Sequence, residues 1–236
     1  MLTESQRAHL AEGAALWGIP LNAQTLDRFA RFATLLEEGN RRLNLTRVPA
    51  EEVVALHFLD SLALAAVFRP EPGTQALDVG TGAGFPGVPL ALAFPDLQMT
   101  LLDATRKRLV FLEEAVADLG LSNVRVLHGR AEDLARDPQH REHYGLVTAR
   151  AVAKMGVLAG WLLPLVCLKG VAVTYKSREA GEEIANARPQ IEALGGRIER
   201  VVDVVLPRTD ILRKLAVIRK QRPTPLRLSR PSVRRG

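Results

Sequence analysis

An α/β fold is predicted for this 236-residue chain: a mostly parallel seven-stranded sheet, finished by an antiparallel strand pair, with a helical N-terminal extension. Three observations carry the prediction. From Gln75 onward, short apolar runs alternate with longer helical patterns, the β-α-β-α order of a parallel sheet with right-handed crossovers. The last two apolar runs, Arg197–Leu206 and Leu212–Arg219, have no helix between them, so they pair antiparallel. The stretch before Gln75 shows apolar residues at helical spacing.

Taken in order, Thr3 and Gln6 make a capping box before a helix that ends near Gly18-Ile19-Pro20. Asn22 caps a second helix, in which Leu26, Phe29, Ala30, Ala33 and Leu36 recur at helical spacing and which Gly39-Asn40 is expected to close. Pro49-Ala50-Glu51-Glu52 opens a third, carrying Val53, Leu56, Leu59, Leu62 and Leu64. Strands are expected at Gln75–Val79, Met99–Asp103, Val124–His128, Gly145–Thr148 and Val171–Tyr175. Helices are expected at Val88–Phe94, Thr105–Leu119, Val152–Leu165 and Glu179–Leu194. The expected organisation is a helical extension over residues 1–70 packed on a core over 71–220, then a basic flexible tail over 221–236.

Composition narrows the class. The 47% apolar content sustains a sizeable core and excludes a disordered chain. A single cysteine excludes a disulfide framework or a thiolate metal cluster. Residues 1–13 lack a basic segment followed by an apolar one, so no signal peptide is expected. The longest nearly apolar run, Val157–Leu168, contains Gly160 and Pro164 and falls short of the roughly 18 residues that span a bilayer. A soluble cytoplasmic protein with no membrane partner is expected, and no protein partner is inferred. The net charge of +6 is +7 from residues 219–236 and −1 from the remainder. Arg219, Lys220, Arg222, Arg227, Arg230, Arg234 and Arg235 stand there without an acid and among prolines. The segment reads either as a phosphate-gripping arm or as a solubilising tail.

The most informative stretch runs from Ala76 to Gly87. An apolar strand ends in Asp78-Val79 and is followed by four glycines in eight positions. Such a loop between a strand and a helix lets a ligand approach the main chain closely. Two frames fit. Gly82-Ala83-Gly84-Phe85-Pro86-Gly87 has the dinucleotide spacing G-x-G-x-x-G. Asp78-Val79-Gly80-Thr81-Gly82-Ala83-Gly84 resembles the loop of S-adenosylmethionine-dependent methyltransferases. Asp103 ends the next strand, 19 residues after Gly84. It is positioned either to hold both ribose hydroxyls or to cap the helix near Thr105. Three points favour the second frame: the acid inside the first strand, the polar Gly129-Arg130-Ala131-Glu132-Asp133 after the third strand, and the terminal antiparallel pair. The other reading of Glu132 and Asp133 is as first-turn helix acids.

The resemblance then becomes specific. Asn44-Leu45-Thr46, His57-Phe58-Leu59-Asp60-Ser61-Leu62, the Asp78–Ala91 segment, Lys107-Arg108 with Phe111-Leu112, Gly129-Arg130-Ala131-Glu132 and Ala149-Arg150-Ala151-Val152-Ala153 resemble the glucose-inhibited division protein B family. The match runs from about Asn44 to Lys220. The resemblance implies a Rossmann-like class I methyltransferase that moves a methyl group from S-adenosyl-L-methionine to N7 of a guanine in small-subunit (16S) ribosomal RNA. It implies cofactor contacts at Gly80, Phe85, Asp103-Ala104-Thr105, Ala131-Glu132 and Arg150. Gly82 and Gly84 join that set from the loop itself.

What is missing also informs. Ala149-Arg150-Ala151-Val152 stands where exocyclic-amine methyltransferases carry [DN]-P-P-[YF]. Cys167 lies in the apolar Leu165-Val166-Cys167-Leu168 and is expected to be an inert core thiol rather than a nucleophile. Guanine N7 carries a free lone pair and needs no base, which suits this pattern. Arg150, just past the fourth strand, is the best candidate on the catalytic face, for the methionine carboxylate, a phosphate or guanine O6; the competing reading is a surface ion pair. His57 and Asp60, three apart on one helix, read equally as a satisfied polar pair or a wall of the active site. Lys176, ending the fifth strand, reads as an RNA contact or a plain strand-end charge. Arg222, Arg227, Arg230, Arg234 and Arg235, with Arg41, Arg42 and Arg47, are expected to grip RNA backbone around a splayed-out target base. His9, His128, His140 and His143 have no metal-ligand spacing, and no metal is expected. Small-molecule methylation, NAD-dependent reduction and a non-catalytic role in ribosome assembly are the competing functions.

Overall fold

The computed structural model describes residues 2–226. Seven strands, β1 (Gln75–Val79), β2 (Gln98–Asp103), β3 (Val124–His128), β4 (Tyr144–Arg150), β5 (Val166–Ser177), β6 (Gly196–Val205) and β7 (Leu212–Lys220), form one sheet in the order β3-β2-β1-β4-β5-β7-β6. The β1, β2, β3, β4 and β5 contacts are parallel; β7 pairs antiparallel with β5 and β6. The fold class is therefore the expected one. Strand order reverses between β1 and β4, and ligands of such sheets bind beyond the carboxyl ends of the strands at that point.

Alternation along the strands divides the interior in two. Ala76, Met99, Leu101, Leu146, Val171 and Val217 face one side, and share a single apolar cluster with α1 (Glu4–Ala15), α2 (Ala23–Leu43), α4 (Gly87–Ala93) and α5 (Arg106–Asp118). Leu77, Val79, Val147, Ala149, Ala172 and Ile218 face the other, covered by α6 (Ala131–Leu134), α7 (Met155–Leu162), α8 (Gly181–Asn186) and α9 (Arg188–Ala193). A period of two on each strand is what buries both faces.

Both N-terminal caps form as expected, the Thr3–Gln6 box and Asn22 on the Thr25 N–H. Several boundaries move. Helix α2 continues past Gly39-Asn40 to Leu43 and closes on Asn44 at φ +50°. Gly39 is there for packing, since a Cβ would meet the Phe111 ring at 2.8 Å. The expected third helix is a chain of short turns: a 3-10 turn over Ala50–Glu52, a π-helical stretch over Val54–Leu59, one α-turn (α3, Asp60–Leu62) and a 3-10 turn over Ala63–Ala66. The Glu179–Leu194 helix breaks into α8 and α9, where Pro189 supplies no N–H and restarts the helix. Helix α7 ends before Pro164, and β5 begins at Val166, five residues earlier than expected. Cys167 is consequently half-buried at the start of β5 rather than in the core.

Strand β7 starts beside the carboxyl end of β5, with Arg213 opposite Ser177, and runs away from it, with Arg219 opposite Val171. The chain leaves β7 at the opposite edge of the sheet from the strand ends that bind ligands. Lys220, counted with the tail from its charge, is a buried residue that bonds to Leu163 O, Thr224 Oγ1 and the Glu142 carboxylate. Arg219 pairs with Glu199 on β6 at 2.6 Å. Thr224 N–H donates to Glu142 and Thr224 Oγ1 to Leu194 O. Arg227, Arg230, Arg234 and Arg235 lie outside the described residues.

Candidate active site

Two clefts open beyond the carboxyl ends of β1 and β4 and share Arg150 and Ala151. The first, about 370 Å3, is built where strands end: Val79-Gly80 at the end of β1, Leu102-Asp103-Ala104-Thr105 at the end of β2, Gly129-Arg130-Ala131-Glu132 after β3 and Arg150-Ala151-Val152 at the end of β4. Gly80 turns at φ +69°, and a Cβ there would lie 3.1 Å from both Val152 methyl groups, so backbone alone fits under that side chain. The Asp103 carboxylate is nearly buried. It accepts from Gly82 N–H at 3.0 Å and Thr105 N–H at 2.8 Å, with the Arg108 guanidinium 3.5 Å away. It thus tethers the glycine loop to the start of α5 while still lining the cleft.

Beneath the loop, Asp78 Oδ2 accepts from Thr81 Oγ1 at 2.6 Å and Gly87 N–H at 2.9 Å. Among the described residues, Asp78 Oδ1 is the buried side-chain atom left without a hydrogen-bond partner. Burial raises the Asp78 pKa to about 6, against the pull of those two hydrogen bonds and of Arg150. Backbone at Gly80, the Asp103 carboxylate and Glu132 beyond β3 line the cleft, a set that fits a nucleoside ligand such as S-adenosylmethionine.

Of the predicted cofactor residues, Gly80, Asp103, Ala104, Thr105, Ala131, Glu132 and Arg150 are gathered around this cleft. Gly82, Gly84 and Phe85 are not among its lining residues. Gly82 N–H is engaged by Asp103. Gly84, at φ +96°, packs so closely that a Cβ would meet Val88 at 2.7 Å and Leu112 at 2.9 Å. Phe85 is buried in an aromatic cluster with Phe32 and Phe58, and its ring stacks on His57 at 4.2 Å.

The second cleft, about 470 Å3, lies between the N-terminal helices and the end of the β5–β7 pair where Ser177 faces Arg213. Its polar walls are His57, Asp60, Arg150, Lys176, Glu183 and Arg213. Arg150 donates to Asp60 Oδ2 at 2.9 Å and to Leu56 O at 3.1 Å. It also donates to His57 Nδ1 at 3.2 Å and stands 5.3 Å over the Phe85 ring. Arg213 grips the same carboxylate at 3.0 and 3.2 Å. The Arg150 and Asp60 side chains are 12% and 3% exposed, so the competing reading of Arg150 as a surface ion pair becomes a buried one. Arg150 can only donate, so His57 Nδ1 accepts and the ring proton sits on Nε2, facing Thr46 Oγ1 at 2.7 Å. Burial and then the Arg150 charge lower the His57 pKa to about 3, so the ring is neutral. Tyr175 Oη donates to Ser61 O at 2.6 Å, a further tie between β5 and the N-terminal helices.

Lys176 does not present its charge outward. Its Nζ donates to Ala153 O and Glu183 Oε1, both at 2.7 Å. Arg213 and Glu183 were not singled out from sequence. They lie 153 and 123 residues from Asp60, and nothing local marks either one. Among the described residues, no three His, Cys, Asp or Glu side chains converge as metal ligands, and no helix is long and apolar enough to cross a membrane.

Comparison with known proteins bears on the family and the fold. The GidB family, rRNA small subunit methyltransferase G, matches residues 25–212. The chain is 43% identical over 212 residues to Ribosomal RNA small subunit methyltransferase G of Thermoanaerobacter sp. (strain X514), covering 89% of this chain and 88% of that one. It is 39% identical over 227 residues to the protein of that name from Acetivibrio thermocellus, covering 96% and 93%. Among solved structures, TrmN from Thermus thermophilus superposes with a TM-score of 0.55 at 21% identity, over 69% of this chain and 48% of that one. MtNAS in complex with S-adenosylmethionine superposes with a TM-score of 0.55 at 16% identity, over 85% and 78%. Those two likenesses concern the fold. The chain belongs to the rRNA small subunit methyltransferase G family, whose enzymes use S-adenosylmethionine.

Proposed function

We propose, with that membership as premise, that the chain methylates N7 of a guanine in small-subunit (16S) ribosomal RNA. The single observation that carries the reading is the meeting of two clefts at Arg150-Ala151, one suited to a nucleoside cofactor and one bounded by the ends of β5 and β7. S-adenosylmethionine supplies a methyl on a sulfonium, transferred by in-line displacement. The chain's residues then have to hold and align two ligands. Gly80 offers backbone, Asp103 a carboxylate for ribose hydroxyls, and Ala131-Glu132 the base-facing wall. The target base, splayed from its stack, enters the second cleft.

No base need be found. His57 gives its ring proton to Thr46 and its lone pair to Arg150, so it has no atom free for proton transfer. N7 of guanine demands none, which distinguishes this target from an exocyclic amine. We assign residues 1–70 to the helical wall of the second cleft and 71–220 to the methyltransferase core. Arg222 and the arginines beyond Leu226 we assign to backbone contacts. The chain leaves β7 at the end of the sheet opposite the clefts, so we assign these contacts to RNA away from the target base. Such an enzyme works in the cytoplasm, on rRNA or an assembling particle.

The test is incubation with methyl-labelled cofactor and unmethylated small subunits or their RNA, followed by nucleoside mapping. The expected product is labelled 7-methylguanosine. Label on another position refutes the N7 assignment, and absence of label from RNA refutes the activity.

A further inference from the structure

The wall between the two clefts is a four-residue bend, Ala151–Lys154, joining β4 to α7. It is conformationally expensive. Ala151 sits at φ +57°, a left-handed conformation that an L side chain adopts only when its surroundings enforce it. The bend also has a demanding neighbour, because Val152 lies directly over the Gly80 turn. A shift of this segment changes both clefts together.

The upstream end is fixed by Arg150 in its Asp60 and His57 contacts. The downstream end is fixed from elsewhere in the chain. Lys154, the residue preceding α7, makes no side-chain cap. Glu183 of α8 instead accepts the Met155 N–H, placing a carboxylate at the start of that helix. The same Glu183 oxygen accepts from Lys176, whose ammonium also bonds Ala153 O. One lysine and one glutamate thus pin two backbone groups of the bend's downstream end, Ala153 O and Met155 N–H.

We infer that Lys176 and Glu183 are positioning residues: an ion pair that holds the Ala151–Lys154 bend in register between cofactor and acceptor, without either side chain touching the reacting atoms. This rests on the methyl-transfer reading and adds to it what sets the alignment.

The test compares Lys176→Met and Glu183→Ala in the full chain. The inference predicts that both lower kcat by about 10- to 100-fold, the scale of an ångström misplacement. RNA affinity and its salt slope stay unchanged for Lys176→Met, and Glu183→Ala binds RNA as well as or better than the parent. The double variant is no worse than the poorer single one, and Lys176→Arg keeps most of the activity. Amide exchange quickens in a peptide spanning residues 150–156. If Lys176 touches RNA instead, Lys176→Met raises the KM for RNA and lowers the salt slope by about 1 with kcat kept, while Glu183→Ala keeps kcat too; that pattern overturns the inference. Unchanged exchange over residues 150–156 in both variants also overturns it. Should either variant fold poorly, the exchange and kcat of the other decide. Calorimetry of the parent with S-adenosylhomocysteine keeps the two readings apart: no binding removes the methyl-transfer reading, while amide exchange still tests the clamp.

Discussion

The two clefts differ in how they are held together. The first cleft, assigned above to the cofactor, is built from backbone at strand ends and from two acids, Glu132 and Asp103, the latter with protein partners within 21 residues of it in sequence. The second cleft, assigned above to the acceptor, is built from side chains that interlock over long separations: Arg150 with Asp60 across 90 residues, Arg213 with Asp60 across 153, Tyr175 with Ser61 across 114. A backbone cradle survives most side-chain changes. A buried charge cluster does not, because removing one partner leaves the others uncompensated.

The largest expected effect follows from that contrast. Asp60→Ala leaves Arg150 and Arg213 facing each other in a mostly buried site. It should destabilise the fold by about 3–5 kcal/mol, read by denaturant unfolding. A loss below about 1 kcal/mol would mean that packing, not charge, holds the N-terminal helices to the sheet.

Asp103→Ala should act on the other cleft. The fold persists, while affinity for S-adenosylhomocysteine falls by about 10- to 100-fold, the scale of hydrogen bonds to a charged group. Calorimetric titration reads it. Unchanged affinity would break the ribose assignment and reduce Asp103 to a tether for Gly82 and Thr105.

The smallest net effect is the parent's own pH dependence, where His57 and Asp78 oppose each other. His57 has its pKa lowered to about 3 in the fold, so its contribution is present above about 6.5 and is lost as pH falls toward 3. Asp78 has its pKa raised to about 6, so the folded state keeps a proton that the unfolded chain releases near 3.8. Its contribution declines as pH rises from about 4 to about 6. Over that window the two slopes, each about 1.4 kcal/mol per pH unit at most, cancel. In His57→Gln, stability relative to the parent should therefore fall as pH rises from 4 to 6. Parallel curves for parent and variant would contradict the burial of a neutral His57.

The same contrast governs what the sequence revealed. Strand positions β1 to β3, the glycine turn and Asp103 were legible because apolar alternation and loop chemistry are local. Arg150 was legible by position, expected just past the fourth strand and found as the last residue of β4, yet its partner was not. His57 and Asp60 on a helix give no sign that a π-helical stretch turns both toward β4, nor that Arg213 arrives from β7. Lys176 and Lys220 read as surface charges because composition cannot see a distant acid. Glu183 meets the first and Glu142 the second, and both acids are set by the packing of α8 and the β3–β4 connection. Gly39 misled for the opposite reason: its lack of a side chain serves a helix contact with Phe111 rather than a helix end.

The most direct test of the account is a crystal structure with S-adenosylhomocysteine bound. The account predicts the ribose hydroxyls on Asp103 and the sulfur facing Arg150-Ala151, where the two clefts join. A ligand seated in the second cleft, or one lying away from both Gly80 and Asp103, would contradict it.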